Sequence, residues 1–255
     1  MIDINYSAYR SLVSCDSRVR FLVFHYTAVD FSHSIAALTG DSVSAHYLIP
    51  DPTDPSYLAA GYKDVTVFNL LDENERAWHA GLSAWENRTN LNDSSIGVEV
   101  VNLAMENAGT FTFPAYAPGQ IAAIIALAAN IVQRYPTITP TRIVGHSDIA
   151  FGRKSDPGPQ FPWHAMYLHG IGAWPDESEK QIHVARFMRD GLPQKQHIID
   201  AFHRYGYDAN EAISGANYQA LVRAFQLHFR PSNFDGNMDV ETCGILYALI
   251  SKYRG

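Results

Sequence analysis

The run R-F-L-V-F-H-Y, from Arg20 to Tyr26, decides the expected architecture of this chain. From Phe21 to Phe24 it is apolar without interruption, which predicts a strand buried on both faces. Turn-rich segments separate it from other short apolar runs of the same kind, which lie at residues 45–50, 65–71, 96–102 and 141–146. Together these runs predict the strands of one central sheet.

A long amphipathic segment lies between the last two of these predicted strands. Pro118 suits the first turn of a helix, and apolar residues then recur at helical spacing as far as Tyr135. Pro136 ends the pattern. Strands combined with a long helix predict an α/β fold, in which a central mixed β-sheet is flanked by helices.

The sequence changes character at residues 174–179. Two apolar stripes at helical spacing follow, at residues 218–229 and 245–250, and turn residues separate them. We therefore expect two domains, a mixed α/β domain over residues 1–175 and a small all-α domain over residues 176–255.

Composition excludes several classes of protein. Of 255 residues, 47% are hydrophobic and 18% are charged, as in ordinary soluble globular proteins. The 19 basic and 26 acidic side chains give a formal charge of −7, which argues against a nucleic-acid partner. No apolar run is long enough for an integral membrane segment. The first ten residues have neither the basic start nor the apolar run of a signal peptide, so Leu12–Cys15 is read as a chance match to a lipoprotein box.

Three side chains stand where a metal site would form. His25 and His146 end predicted strands, and Asp156 follows ten residues later on a loop rich in glycine and proline. Two imidazoles and one carboxylate suit a catalytic zinc ion, because three protein ligands leave a fourth position open. The alternative is that each residue only forms hydrogen bonds in a polar end of the core. Spacing alone leaves both interpretations open.

Glu99 is a carboxylate within an otherwise apolar predicted strand. A buried carboxylate requires a partner or a chemical role. It is therefore either half of a salt bridge, with Arg76 or Lys154, or a residue that acts in catalysis.

Several motifs resemble those of the AmpD/AmiD-type N-acetylmuramoyl-L-alanine amidases, the amidase_2 family. They are F-H-Y-T-A (24–28), S-A-H-Y-L-I (44–49), A-W-H-A-G (77–81), L-N-D-S-S-I-G-V-E (91–99) and V-G-H-S-D-I-A-F-G-R-K-S-D-P-G-P (144–159). This family shares its fold with T7 lysozyme and the peptidoglycan-recognition proteins. Residues 224–242 resemble the helical peptidoglycan-binding module of the AmiD-like branch, and the whole arrangement is most similar to the larger AmpD homologues of pseudomonads.

The resemblance implies roles for particular residues. One zinc ion would be held by His25, His146 and Asp156. Glu99 would orient or deprotonate a water molecule, and Lys154 would neutralise the oxyanion. His46 and His79 match family positions that we expect in the wall of the substrate groove.

The implied activity is zinc-dependent hydrolysis of the amide between N-acetylmuramic acid and L-alanine, in peptidoglycan or muropeptides. Two alternatives remain, a non-catalytic peptidoglycan-recognition protein of the same fold and a zinc hydrolase that cuts within the stem peptide. Residues 1–175 would be the catalytic domain, while residues 176–255 would bind the polymer or only pack against it.

The expected site of action is the periplasm or cell envelope, where the polymer lies. Without a recognisable signal peptide, this location implies a dedicated secretion route or a signal that has been trimmed from the sequence. The alternative is cytoplasmic action on recycled muropeptides. The sequence does not predict an oligomeric state.

Overall fold

The structure, a computed structural model, describes residues 18–107, 110–212 and 214–255. In chain order its first elements are β1 (Phe21–Tyr26), α1 (Phe31–Leu38), β2 (Tyr47–Ile49), α2 (Pro55–Ala59), β3 (Phe68–Asn69), β4 (Ala84–Trp85), β5 (Arg88–Thr89) and β6 (Ser95–Val100). They are followed by β7 (Met105–Asn107), β8 (Thr110–Thr112), α3 (Pro118–Arg134), β9 (Ile143–Gly145), α4 (His146–Ile149) and α5 (Trp163–Leu168). The remaining helices are α6 (Glu177–Asp190), α7 (Lys195–Tyr205), α8 (Gly215–Phe229) and α9 (Val240–Tyr253).

The central sheet has the strand order β3-β2-β6-β1-β9. Strand β1 pairs in parallel with both β6 and β9, and β2 pairs in parallel with β6. Strand β3 is antiparallel to β2, so the sheet is mixed. Helices cover it, and the predicted fold class is confirmed.

The two faces of β1 are both buried, as its apolar run predicts. Leu22 and Phe24 lie in a hydrophobic cluster with Ile124 of α3 on one face. Phe21 and Val23 point to the other face, because successive side chains of a strand alternate. His25 follows in the same alternation and therefore shares the face of Phe21 and Val23.

The C-terminal helices complete the core on that second face. Phe202 of α7, Phe225 of α8 and Leu249 of α9 lie in the same cluster as Phe21 and Val23. The predicted change to all-helical structure occurs where α6 begins, just after Asp176. The helical part therefore packs directly on the sheet, while the functional division at residues 175 and 176 stays a prediction.

Three predicted strands are markedly shorter than expected. The run at residues 45–50 forms only Tyr47–Ile49. The run at residues 65–71 forms only Phe68–Asn69, because the main-chain N–H of Thr66 donates to the hydroxyl of Tyr57 rather than to a strand. The run at residues 141–146 forms only Ile143–Gly145.

His146 does not end a strand, as the sequence analysis expected, but is the first residue of helix α4. The side chain of Asp148 explains the change, because it accepts a hydrogen bond from the N–H of Gly145 at 2.7 Å and caps the helix.

Within the described residues, no helix combines the length and apolar character that a membrane crossing requires. The predictions about Leu12–Cys15 and the absent signal peptide concern residues outside the described ranges.

A buried hydrogen-bond network joins the helical part to the segment that carries His146. Asp148 accepts a hydrogen bond from the hydroxyl of Tyr207 at 2.6 Å, besides the one from Gly145. The Oδ2 atom of Asp148, which accepts the bond from Gly145, also lies 2.8 Å from Nδ1 of His228 on α8. All these side chains are almost fully buried, so they depend on each other for their hydrogen bonds.

We expect Asp148→Ala to lower the free energy of unfolding by at least about 3 kcal/mol, because it leaves several buried donors without an acceptor. Urea titration followed by circular dichroism measures the loss. Asp190→Ala is the matched control, since this exposed carboxylate pairs at the surface with the neighbouring Arg189 and its removal should leave the midpoint unchanged. An unchanged midpoint for Asp148→Ala would show that the network does not stabilise the fold.

Candidate active site

A cavity of about 350 Å³ opens beside the C-terminal ends of β1 and β6. The carboxyl ends of parallel strands form the edge at which open α/β sheets usually bind ligands. Among the described residues, its lining includes most of those that the sequence analysis singled out, namely His25, His79, Glu99, His146, Lys154 and Asp156. The structure thus brings these side chains, distant in sequence, to one place.

His25 and Glu99 are direct neighbours across the sheet. They are paired in the parallel register of β1 and β6. Because paired residues of adjacent parallel strands point to the same face, both side chains project into the cavity. The register also places Ser95 and Gly97 on this face, below Glu99.

A loop returns Asp156 to His146 after ten residues. The main-chain N–H of Ser147 donates to the carbonyl of Asp156 at 2.8 Å, which ties the end of the loop to the start of α4. The hydroxyl of Tyr116 donates to the carbonyl of Pro157, also at 2.8 Å. These two bonds fix the backbone on either side of the Asp156 carboxylate.

Three potential ligand atoms converge at the bottom of the cavity. Nδ1 of His25 lies 3.0 Å from Nδ1 of His146 and 2.9 Å from Oδ2 of Asp156. Nδ1 of His146 lies 3.0 Å from the same carboxylate oxygen. All three residues are buried, and together they form a candidate metal site.

The donor set fits a zinc ion. Imidazole nitrogen and carboxylate oxygen each bind zinc at about 2.0–2.2 Å, so neighbouring ligands of one ion lie close to the spacing seen here. The Nε2 atom of His146 lies 3.1 Å from the carbonyl of Ala80, which can only accept a hydrogen bond. In the neutral ring this leaves the lone pair of Nδ1 pointing at the site. That these residues bind zinc stays a prediction.

Local electrostatics favour the protonation states that a metal requires. Burial, and then the nearby His146, lower the pKa of His25 to about 4, so its imidazole is neutral near pH 7. Burial alone would raise the pKa of Asp156, but the two histidines lower it below its usual range. A neutral imidazole and an ionised carboxylate are the forms that bind metal ions.

Glu99 has a carboxylate oxygen without a protein partner. Its Oε2 atom is buried and accepts no hydrogen bond from the described residues. Burial, reinforced by the negative charge of Asp156, raises the pKa of Glu99 well above its usual range, and Lys154 opposes this effect. A carboxylate with a raised pKa beside a candidate metal site is suited to proton transfer.

The salt-bridge alternative for Glu99 is not what the structure shows. Arg76 forms its ion pair with Asp93 and stacks on the ring of Trp78. Lys154 is exposed and lines the cavity, and the described part of the chain contains no ion pair between Lys154 and Glu99. The catalytic alternative therefore remains, and the roles of both residues stay predictions.

His46 and His79, the two further histidines that the family resemblance indicated, lie at different depths from the cavity. His79 lines the cavity and approaches His25, with 2.9 Å between its Nδ1 and Nε2 of His25. His46 is fully buried behind the wall, where its Nδ1 accepts a hydrogen bond from Gly97 and its Nε2 lies 3.2 Å from the carbonyl of Glu75. Among the described residues His46 does not line the cavity, because the main chain engages both of its ring nitrogens, and its expected role in the groove wall stays a prediction.

Ser95 and Asn92, to which the sequence motifs gave no role, support the site through hydrogen bonds to His79 and Ala80. The hydroxyl of Ser95 lies 3.0 Å from Nε2 of His79. The side-chain oxygen of Asn92 accepts hydrogen bonds from the main-chain N–H groups of His79 and Ala80, at 3.1 Å and 2.7 Å. Extending the alternation of the predicted strand back by one residue places Ser95 on the face of Gly97 and Glu99, whereas no such pattern marks Asn92.

Comparison with known proteins gives consistent matches. Residues 16–159 match the N-acetylmuramoyl-L-alanine amidase family. The chain is 42% identical to the N-acetylmuramoyl-L-alanine amidase AmiD of Escherichia coli over 237 residues, which cover 92% of this chain and 84% of AmiD.

Solved structures agree over the full length. The crystal structure of AmpDH3 from Pseudomonas aeruginosa superposes with a TM-score of 0.97 at 55% identity, covering 100% of both chains. The complex of Escherichia coli AmiD with its substrate anhydro-N-acetylmuramic acid-L-Ala-D-gamma-Glu-L-Lys superposes with a TM-score of 0.85 at 39% identity, covering 98% of this chain and 97% of AmiD.

Proposed function

The chain belongs to the N-acetylmuramoyl-L-alanine amidase family, and on this premise we propose that it is a zinc enzyme that hydrolyses the amide between N-acetylmuramic acid and L-alanine. The observation that carries the proposal is the convergence of His25, His146 and Asp156 on one point, with Glu99 and Lys154 in the same cavity. With three protein donors, a zinc ion held here would keep a fourth position for water, as catalytic rather than structural zinc sites do.

The proposed substrate is a peptidoglycan fragment that contains muramic acid and its stem peptide. Escherichia coli AmiD binds such a fragment, and AmiD covers nearly the whole of this chain. The cavity of about 350 Å³ admits the bond to be cleaved and its neighbours, while the rest of a long substrate would lie along the surface.

Each residue has a distinct task in this reaction. When bound, zinc supplies Lewis acidity, which lets water act as a nucleophile near neutral pH and polarises the carbonyl. Glu99 accepts the proton of the attacking water at its unpartnered oxygen and delivers it to the departing amine. Lys154 places its ammonium group beside the negative charge that develops on the former carbonyl oxygen.

Lys154→Ala is expected to slow turnover at least tenfold and to leave zinc bound. Loss of one oxyanion donor typically costs about 2.7–4 kcal/mol, roughly a hundred- to thousandfold in rate, and exposure of this side chain moderates the effect. Steady-state kinetics on a muropeptide, together with the metal content of the purified variant, test the prediction. Unchanged turnover would remove Lys154 from the mechanism.

Mass spectrometry in water enriched with ¹⁸O identifies the bond that is cut. Hydrolysis at the proposed amide places one ¹⁸O atom in the lactyl carboxylate of the sugar and none in a stem peptide with a free L-alanine amine. Label in a peptide carboxylate would instead show cleavage within the stem, and the proposed specificity would be wrong.

We further propose that the enzyme acts in the periplasm or cell envelope and that residues 176–255 contribute to binding the polymer. The support is chemical, because the proposed substrate is part of a polymer outside the inner membrane. Immunodetection in fractionated cells tests the location, and a purely cytoplasmic protein would contradict it. Cosedimentation of the zinc-free full chain with purified sacculi tests the binding, which an entirely soluble protein would disprove.

A further inference from the structure

The segment His79-Ala80 contacts both proposed histidine ligands on the side away from the metal site. His79 places its Nδ1 atom 2.9 Å from Nε2 of His25. The next residue, Ala80, places its carbonyl oxygen 3.1 Å from Nε2 of His146. His79 and Ala80 therefore act on the two imidazoles at the nitrogens that face away from the metal site.

The hydrogen bonds behind His79 determine where its protons lie. The hydroxyl of Ser95 is 2.6 Å from the carbonyl of Leu91, and because a carbonyl only accepts, Ser95 donates this bond. Ser95 has no other proton, so Nε2 of His79 must donate to the Ser95 oxygen, 3.0 Å away. In the neutral ring the other nitrogen, Nδ1, then carries a lone pair.

This lone pair in turn determines the tautomer of His25. Nδ1 of His79 accepts a hydrogen bond, so Nε2 of His25 is the donor and carries the proton. Nδ1 of His25 is left with its lone pair directed at Nδ1 of His146 and Oδ2 of Asp156.

The surrounding residues hold the His79 ring in a single place. Asn92 accepts hydrogen bonds from the main-chain N–H groups of both His79 and Ala80. The ring lies so close to Gly97 that a Cβ atom there would be only 2.5 Å from its Cγ. The absence of a side chain at Gly97 therefore makes room for the imidazole.

We propose that His79 is a positioning residue, which fixes the tautomer of His25 through the chain Leu91–Ser95–His79–His25. Ala80 fixes the tautomer of His146 in the same way, so the segment prepares both imidazoles to bind zinc through Nδ1. The inference rests on the proposed function for the identity of the metal. It goes beyond the substrate-groove role expected of His79 from the sequence.

His79→Leu removes the acceptor while it keeps a side chain of similar bulk, and we expect it to weaken zinc binding by about 10–100-fold. Competition with a chromogenic chelator on the full chain gives the zinc dissociation constant. His79→Asn restores an acceptor oxygen near the position of Nδ1 and is expected to recover most of the affinity. Ser95→Ala removes only the hydroxyl that orients His79, so it should lose less zinc affinity than His79→Leu does. It replaces His79→Leu in the test if that variant does not fold.

A second measurement reads the tautomer itself. Long-range ¹H–¹⁵N correlation spectra of the metal-free protein distinguish an imidazole protonated at Nε2 from one protonated at Nδ1. The wild-type protein is expected to show His25 as the Nε2–H form. In His79→Leu, a mixture of both forms is expected.

His46→Leu is the matched control. It also removes a buried histidine, and the His46 ring lies 6.0 Å from that of His79, but within the described ranges both ring nitrogens of His46 engage the main chain. It should lower thermal stability without changing zinc affinity. The proposal would be overturned if His79→Leu bound zinc as tightly as the wild type, or if His46→Leu weakened zinc binding as much as His79→Leu does. A wild-type protein that binds no zinc would instead overturn the proposed function.

Discussion

Asp156→Ala is expected to purify without zinc and to hydrolyse no muropeptide above background. Asp156 supplies the only carboxylate among the three converging donors, and its Oδ2 atom lies within 3.0 Å of both imidazole nitrogens. Removing it leaves two imidazoles and takes a negative charge out of a buried site. The loss in zinc affinity should exceed the about 10–100-fold that removal of a supporting residue costs.

The loss of activity should exceed the roughly hundred- to thousandfold typical of one oxyanion donor, because the nucleophile and the electrophile both depend on the metal. Inductively coupled plasma mass spectrometry measures zinc per chain, and the same preparation is assayed for turnover. Asp190→Ala, an exposed carboxylate on α6, controls for the purification and should retain one zinc ion per chain. Stoichiometric zinc in Asp156→Ala would contradict its assignment as a ligand.

Glu99→Gln is expected to keep its zinc and to lose most of its turnover. The amide matches the carboxylate in shape but does not accept the proton of water, and general acid–base catalysis contributes typically about 10²–10⁴-fold. The geometry supports this role, since Glu99 pairs with His25 across the sheet and its buried Oε2 has no partner among the described residues.

Glu106→Gln is the matched control for Glu99→Gln. Glu106 is an acidic residue that lines the same cavity but takes no part in the proposed chemistry. Both variants should bind zinc, and only Glu99→Gln should lose the chemical step. Single-turnover kinetics at saturating enzyme separate this step from substrate binding. If Glu99→Gln turned over within tenfold of the wild type, another group would have to be the base.

The elements of the fold were largely predictable, whereas their pairing was not. The apolar run that contains His25 and the amphipathic segment after Pro118 each specify their own secondary structure, because periodicity is a local signal. The pairing of β1 with β6 joins residues more than 70 positions apart, such as His25 and Glu99. No periodic pattern records that register, so only the resemblance to a family linked these two residues.

The supporting residues were harder to predict than the candidate ligands. His46 and His79 both lie in short motifs of the family, and neither motif shows which way a ring points. The structure separates them, because His46 bonds to the main chain around Gly97 and Glu75 while His79 bonds to His25. Ser95 lies one residue before the predicted strand at residues 96–102, and its purpose depends on contacts that only the fold creates.

For the C-terminal helices too, the sequence predicted the elements but not their packing partners. Its apolar stripes predicted helices, and α8 and α9 formed at those positions. The stripes do not show what they pack against. In the structure, Phe225 and Leu249 join Phe21 and Val23 in one cluster, and Asp148 links Tyr207 and His228 to the start of α4.

The most direct test of the central claim is mass spectrometry of a purified anhydro-muropeptide incubated with the protein before and after a chelator removes its metal, and again after zinc is restored. We expect free stem peptide and intact amino sugar from the untreated protein, no product after chelation and renewed cleavage with one equivalent of zinc. An undiminished rate in the fully metal-free protein, or no cleavage of muropeptide or sacculi with zinc bound, would contradict the account.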